Sequence, residues 1–194
     1  MAVIQQILLA GAPLAVPRTY ATWNPADKYS DVVLSSGNLS ATNTFYGSVR
    51  ATIKATSGKW YWEITVNAAP LSLTIGFATS AFDVVAGYAP GRDYAGQSGG
   101  YAATGDTYAS NVVVAPKAPY GSGDVIGVAM DIDSASMTFF KNNVPQWGGS
   151  TPPDTWFPCV GAHNGTGMGK ITANFGATPF TYSPPAGYNA GLYI

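Results

Sequence analysis

The stretch that decides the fold runs from Gly123 to Asn143 and reads GDVIGVAMDIDSASMTFFKNN. Its first arm alternates large apolar residues, from Ile126 to Ile132, with small or acidic ones, as a strand does when its two faces differ. A Ser-Ala-Ser turn follows, a second strand is rebuilt over residues 137–140, and Asn142-Asn143 is a turn-forming pair. The stretch therefore predicts a β-hairpin whose first arm lies near the middle of a β-sandwich.

The same alternation recurs along the rest of the chain. Residues 59–79 contain two alternating runs separated by the turn-like 67–70, which predicts a second hairpin. Gly (23 residues) and Pro (14 residues) are spread throughout and leave no room for a helix of several turns. The sequence thus predicts an all-β, antiparallel two-sheet sandwich. Further strands are expected at 31–35, 38–42, 46–54, 99–104, 107–114, 156–162 and 169–175, and long connections at 80–98, 115–123, 143–155 and 162–169.

Composition limits the classes of partner. Charged residues make up 10% of the chain, against about 25% in an average soluble domain. A net charge of -1 without a basic stripe excludes a nucleic-acid surface. A surface so poor in charge is weakly protected against association, which favours a protein that works inside an assembly. The alternative is a secreted bacterial or viral domain with a polar, uncharged surface.

The first residues form a distinct apolar segment, MAVIQQILLAGAPLAV. No basic residues precede it and Gln5-Gln6 interrupts it, so we expect no cleaved signal peptide. No window reaches the roughly 18 apolar residues of a membrane span. We expect residues 1–18 to be an extended N-terminal arm beside a domain of residues 19–194. The arm would contact its own domain or a neighbouring subunit through apolar side chains, namely Val3, Ile4, Ile7, Leu8 and Leu9.

Several ordered segments resemble one family. They are GKWYWEI at 58–64, IGFA at 75–78, GDVIGVAMD at 123–131, MTFFKN at 137–142, WFPCV at 156–160 and ANFG at 173–176. Together they resemble the SPRY domain, a concanavalin-A-like two-sheet jelly roll, over about residues 20–185. The opening segments at 21–27 and 34–39 are similar to the start of SPRY proteins encoded by bacteriophages.

The resemblance implies a non-enzymatic interaction module in which loops at one end of the sandwich form the partner surface. The likeness to phage proteins implies a virion component, a fibre, baseplate or head-decoration protein, made in the bacterial cytoplasm. Its partners would be other virion proteins or copies of itself through the arm, and a host-surface glycan or protein through the loops. The alternative is a free-standing carbohydrate- or protein-binding lectin or adaptor outside any virion.

Candidate chemistry is sparse. Asp131 and Asp133 share a strand face, but Glu63 is the sole glutamate and the carboxylate cluster of concanavalin-type glycosidases is missing. We therefore expect no catalytic residue. The single histidine, His163, excludes a multi-histidine metal site, and we expect no metal and no cofactor. The glycine-rich stretch after it lacks the Lys and Ser/Thr of a phosphate-binding loop and is interpreted as a connection between strands.

Tyrosine, tryptophan and arginine in the long connections are the candidates for a ligand-binding loop surface, because these side chains supply contact area and hydrogen bonds at low entropic cost. For each ring the alternative is that it covers an end of the sandwich. Cys159 and three tryptophans, Trp60, Trp62 and Trp156, are expected in the core. The candidate binding residues are Tyr88, Arg92, Tyr94, Tyr101, Tyr120, Trp147, His163 and Asn164.

Overall fold

The computed structural model describes residues 17–68, 72–93, 95–151, 154–163 and 165–194, without the side chain of residue 115. Every regular element of these residues is a β-strand, which confirms the all-β class. The strands are β1 (Trp23–Lys28), β2 (Val33–Ser35), β3 (Ser40–Asn43), β4 (Gly47–Ala51), β5 (Lys59–Ala68), β6 (Leu73–Ala78), β7 (Ser98–Ala102), β8 (Asp106–Ala109), β9 (Val112–Pro116), β10 (Val125–Asp131), β11 (Ser136–Lys141), β12 (Val144–Ser150), β13 (Phe157–Ala162), β14 (Gly169–Asn174) and β15 (Asn189–Ala190).

The strands form two sheets that pack face to face. The first sheet has the order β1-β4-β13-β6-β7-β8-β9, and the second has the order β12-β11-β10-β5-β14-β3-β2. The short β15 runs parallel to the start of β5, and all other pairings are antiparallel. This arrangement is the antiparallel two-sheet sandwich that the sequence predicts.

The stretch that decides the fold forms the expected hairpin. β10 and β11 pair from Ile126–Lys141 to Asp131–Ser136, and β10 also pairs with β5. Asn142 and Asn143, which join β11 to β12, both have positive φ, 49° and 65°, as a tight two-residue hairpin turn requires. The apolar face of β10 enters the core, where the Ile126 side chain is 0% exposed.

Three expectations about the strands are wrong. Residues 59–79 do not form a hairpin, because β5 lies in the second sheet and β6 in the first. The connection expected at 143–155 contains β12, which extends the β10–β11 hairpin by one strand. The single strand expected at 107–114 is the pair β8–β9, because Ser110 and Asn111 adopt positive φ and turn the chain back. Alternation identifies strands, but it does not identify the sheet to which each belongs.

Aromatic and aliphatic side chains from both sheets fill the space between them. Phe77 of the first sheet contacts Trp156 edge to face, with ring centroids 5.0 Å apart, and stacks on Phe139 of the second sheet. Trp62 and Trp156 are buried as expected, whereas Trp60 is half-buried at the margin of the core. The largest fully buried side chains are Trp23, Trp62, Trp156, Tyr61, Tyr101, Phe82, Phe139 and Phe175.

Each sheet is also covered on its outer face. The connection 79–97 crosses the first sheet and buries a second apolar cluster, which includes Phe82, Val84 and Cys159. The segment 176–190 covers the second sheet, where the buried Glu63 accepts hydrogen bonds from the backbone N–H groups of Thr181 and Tyr182, each at 2.8 Å. This cover explains why the outer face of β10 carries small residues.

The two ends of the described chain lie together. Thr19 and Ile194 exchange backbone hydrogen bonds of 2.9 and 3.0 Å, and Tyr20 forms a β-bridge with Tyr193. The arm residues Val3, Ile4, Ile7, Leu8 and Leu9 lie outside the described residues, so the arm and its boundary at residue 18 stay predictions. Across the described ranges, no helix is long and apolar enough to cross a membrane.

Candidate binding site

Three connections and the turn after β1 line an open cavity of about 480 Å³ at one end of the sandwich. We call it the aromatic pocket. Its volume lies within the roughly 300–1,000 Å³ of typical ligand sites. The residues that line it are Tyr29, Phe45, Tyr46, Val85, Ala86, Gly87, Tyr88, His163 and Gly165.

A glycine at the start of β4 gives the Tyr29 ring its place. Gly47 has a φ of +106°, and a Cβ at this position would overlap the ring of Tyr29. The Tyr29 ring contacts Tyr46 with centroids 5.2 Å apart, and Tyr46 contacts Phe45 with centroids 4.6 Å apart. Three neighbouring rings therefore form one wall of the pocket.

The turn between β3 and β4 is tied to its surroundings by polar contacts. The Asp31 carboxylate accepts hydrogen bonds from the N–H groups of Thr44 and Phe45 at 3.2 and 3.0 Å. The Phe45 carbonyl accepts a bond from the Gly167 N–H at 2.7 Å. The 163–168 connection and this aromatic turn are therefore held together by backbone contacts.

The opposite wall belongs to the 79–97 connection, which Arg50 and Ser48 of β4 hold in place. The buried Arg50 guanidinium pairs with both Asp27 carboxylate oxygens, at 2.7 and 2.9 Å, and donates to the carbonyls of Thr79 and Phe82. The Ser48 hydroxyl donates to the Tyr88 carbonyl at 2.6 Å. Tyr88 and Val85 are thereby presented beside the aromatic turn.

The pocket offers apolar and aromatic surface with little charge. Phe45 is 53% exposed and Val85 58% exposed, so two large apolar side chains face solvent. The hydrogen bond with Tyr46 raises the pKa of Tyr29, so the Tyr29 phenol is neutral near pH 7. Such a surface suits an apolar or aromatic segment of a partner.

His163 lies next to Tyr88, with nearly parallel rings whose centroids are 6.4 Å apart. Its Nδ1 atom is buried and has no hydrogen-bond partner within the described residues. Partial burial, with the nearby Arg92 guanidinium, lowers the pKa of His163 below its ordinary 6.5. The imidazole is therefore neutral at pH 7.

Of the predicted binding residues that the structure describes, Tyr88 and His163 line the aromatic pocket. Arg92 lies behind the pocket, with its guanidinium 3.6 Å from the centroid of the Tyr108 ring. Trp147 belongs to β12, where it stacks on Phe139 at the edge of the core. Tyr94 and Asn164 lie outside the described residues.

Tyr101 and Tyr120 are not on a loop surface, contrary to expectation. They are 0% and 5% exposed, and their rings pack edge to face in the core. The Tyr120 hydroxyl donates to the Tyr101 carbonyl at 2.8 Å, and the Tyr101 hydroxyl donates to the Ala118 carbonyl. Both phenols therefore satisfy their polar ends inside the protein, as buried tyrosines do.

Sequence reasoning missed Tyr29, Phe45, Tyr46 and Val85, which form most of the pocket. A signal was present, because Phe45-Tyr46 interrupts a polar turn between Asn43 and Gly47. Adjacent aromatic residues in a turn do not lie on the inward face of a strand, so their rings are placed at the surface.

The two aspartates have structural partners. Asp131 accepts hydrogen bonds from Ser134 and Lys59, which lower the pKa of its carboxyl to about 2. Asp133 accepts a hydrogen bond from the Gly58 N–H at 2.8 Å. Both carboxylates shape the turn that follows β10, as the sequence interpretation favoured. Within the described ranges, no group of three or more His, Cys, Asp or Glu could hold a metal ion.

A family model described as "SPRY domain" matches residues 59–177. Ran-binding protein 10 of Danio rerio is 32% identical over 174 residues, which cover 83% of this chain and 28% of the relative. Ran-binding protein 9 of Homo sapiens is 31% identical, with 83% and 23% covered. The chain thus spans about a quarter of the length of these curated relatives.

Solved structures show the same sandwich. The SPRY domain of human HERC1 superposes with a TM-score of 0.65 at 16% identity, covering 78% of this chain and 96% of that one. The PSpry domain of TRIM65 superposes with a TM-score of 0.66 at 17% identity, with 80% and 90% covered. At these identities the likeness concerns the fold.

Proposed function

As this chain belongs to the SPRY domain family, whose members are protein-binding modules, we propose that it binds a protein partner through the aromatic pocket. The occupant would be a short segment that carries an apolar or aromatic side chain. The observation that carries this proposal is the exposure of Phe45 and Val85 beside Tyr88 and His163, in an open cavity lined by three connections.

The contacts of the pocket support a preformed site. The backbone of the two connections that carry the apolar side chains is fixed by hydrogen bonds that Asp31 accepts and that Arg50 and Ser48 donate. A binding surface that is already ordered loses little conformational entropy when its partner binds. The proposed role is that of a non-enzymatic adaptor, free-standing or part of a longer protein.

Peptide selection followed by calorimetry tests the proposal. Peptides selected from a random displayed library on the full chain are titrated against wild type, Phe45→Ala, Tyr88→Ala and Val33→Ala. Val33 is a matched control because it is 60% exposed but lies on β2, away from the pocket. We expect Phe45→Ala and Tyr88→Ala to weaken binding by about tenfold or more, which is roughly 1.4 kcal/mol, and Val33→Ala to change it little. Equal affinity for all four proteins would refute the proposal.

A second candidate function is a structural role in a phage particle, favoured by the low charge content and by the apolar residues 1–16. The module would then be localised in the virion, attached by the arm, with the aromatic pocket facing a host-surface protein or glycan. Deletion of residues 1–18 tests this role, because the truncated chain should fold but fail to join particles isolated from producing cells. Incorporation of the truncated chain at the normal level would exclude attachment by the arm.

A further inference from the structure

A second cavity, of about 390 Å³, lies far from the aromatic pocket, where the free edges of the two sheets face each other. We call it the edge cleft. One side is formed by β8 and β9 at the end of the first sheet, and the other by β12 at the end of the second. The three side chains Phe77, Trp147 and Trp156 form its aromatic lining.

Glycines keep the edge cleft open. Gly96, Gly99, Gly148 and Gly149 line it and have no side chain to fill it. A Cβ at Gly149 would come 3.0 Å from the Trp147 indole, and one at Gly99 would come 2.5 Å from the Phe77 ring. One face of the Trp147 indole stacks on Phe139, with centroids 5.9 Å apart and an interplanar angle of 15°. The indole is thereby held in one orientation.

The rim of the edge cleft is polar but uncharged. Its lining contains no Asp, Glu, Lys, Arg or His side chain among the described residues. The hydroxyls of Ser110, Ser150 and Thr151 lie on the lining, and the structure gives them no hydrogen-bond partner in the part of the chain that it describes. Each hydroxyl can both donate and accept a hydrogen bond, so the rim suits a ligand whose own groups also do both.

These features together select a ligand class. An aromatic lining accommodates an apolar C–H face, while free hydroxyls favour a ligand with several hydroxyl groups and no net charge. We propose that the edge cleft binds a neutral pyranose sugar, with its apolar face on Trp147 and its hydroxyls on Ser110, Ser150 and Thr151. The volume falls within the range of small-molecule sites. This site is separate from the proposed protein-binding function.

Addition of a partner strand is the competing use of two free edges, and the structure disfavours it. Val114 of β9 has no opposite residue in the β8 pairing, and Gln146 of β12 has none in the β11 pairing, so each edge strand carries a bulge. Pro116 and Pro145 remove a backbone donor from each edge. Bulges and prolines are the features by which edge strands resist pairing with another chain.

Saturation-transfer NMR and calorimetry on the full chain test the sugar site. The probes are the methyl pyranosides of glucose, mannose and galactose, N-acetylglucosamine and, as a charged control, glucuronate. We expect at least one neutral sugar to bind saturably with a dissociation constant of roughly 1 mM, a weak affinity suited to few hydrogen bonds. Glucuronate should bind more weakly than the best neutral sugar.

Variants of residues that line the edge cleft test whether the sugar binds there. Trp147→Ala should weaken the affinity of the best sugar by about tenfold, and Ser150→Ala, on an exposed side chain that does not contribute to the core, by about threefold to tenfold. Val33→Ala, on an exposed side chain of β2 that lines neither cavity, should leave the affinity unchanged. Because Trp147→Ala removes part of the core margin, Ser110→Ala and Ser150→Ala provide the decisive comparison if it fails to fold. The proposal is overturned if no neutral sugar binds saturably, if Ser110→Ala and Ser150→Ala bind as wild type does, or if only apolar compounds such as indole occupy the cleft.

Discussion

Glu63 shows how one buried carboxylate connects two parts of this molecule. It lies on β5 and accepts two backbone hydrogen bonds from the segment 176–190, and the Tyr61 hydroxyl donates a third at 3.1 Å. These bonds compensate the desolvation of a carboxylate that is 2% exposed. The residue therefore attaches the outer cover to the second sheet.

Replacing Glu63 with Gln should destabilise the fold. An amide keeps one acceptor oxygen but places an NH₂ group against an N–H or O–H donor, so at least one buried donor loses its partner. We expect a loss of about 1–3 kcal/mol in the free energy of unfolding, measured by urea denaturation. Asp133→Asn, which alters an acceptor of the exposed Gly58 N–H, is the control and should cost much less.

His163 should make the free energy of unfolding depend on pH between the ordinary histidine pKa of 6.5 and its own lower pKa in the fold. Its pKa is lower in the fold than its ordinary 6.5, so the unfolded chain takes up a proton first as the pH falls. The stabilising contribution is complete above pH 6.5 and is lost as the pH falls from there toward the folded pKa. Denaturation curves of wild type and His163→Gln should therefore differ in their pH dependence below pH 6.5. Parallel profiles would contradict the lowered pKa.

At the scale of elements, a glycine with positive φ makes room for one wall of the aromatic pocket. Gly47 begins β4 with a φ of +106°, and its missing side chain leaves room for the Tyr29 ring. Gly47→Ala should cost about 1–3 kcal/mol through backbone strain and should displace Tyr29. Gly121→Ala is the matched control, since a Cβ there meets nothing within 4 Å. Thermal unfolding and peptide affinity measure the two effects, and equal results for the two variants would contradict the assigned role of Gly47.

The rate at which the Cys159 thiol is labelled measures how firmly the 79–97 connection packs on the first sheet. Burial beneath Phe82 and Val84 raises the pKa of its thiol strongly, so labelling by a thiol reagent requires that the connection lift away. Arg50→Ala removes the bonds that hold residues 79 and 82, and should accelerate labelling under native conditions by about tenfold or more. Lys54→Ala, on an exposed side chain, should label at the wild-type rate. An unchanged rate in Arg50→Ala would show that Arg50 does not hold the connection.

The limits of sequence reasoning also appear at this scale. The β10–β11 hairpin was predictable because the alternation along both strands and the Ser134-Ala135-Ser136 turn between them are local signals. The separation of β5 and β6 into different sheets was not, because it depends on which distant strands compete for each edge. The burial of Tyr101 and the exposure of Phe45 depend likewise on packing between connections, which alternation along one strand does not encode.

At the scale of the whole molecule, the two sheets form the scaffold, and the connections between strands form the proposed binding surface. Much of each sheet is covered on both faces, by the core, the 79–97 connection and the segment 176–190. Phe45 and Val85, two of the large apolar side chains that stay exposed, lie where connections meet, in the aromatic pocket. A rigid scaffold that presents ordered connections is the usual basis of recognition by β-sandwiches.

Chemical-shift mapping of a selected peptide on the ¹⁵N-labelled full chain tests the central claim most directly. We predict that the amide signals that shift on titration cluster at residues 29–31, 44–47, 85–88, 163 and 165–168, which surround the aromatic pocket. Tyr88→Ala should abolish these shifts at the same peptide concentration. Shifts that cluster instead on β2, on the segment 176–190 or in the edge cleft, with the pocket signals unmoved, would contradict binding of a protein partner in the aromatic pocket.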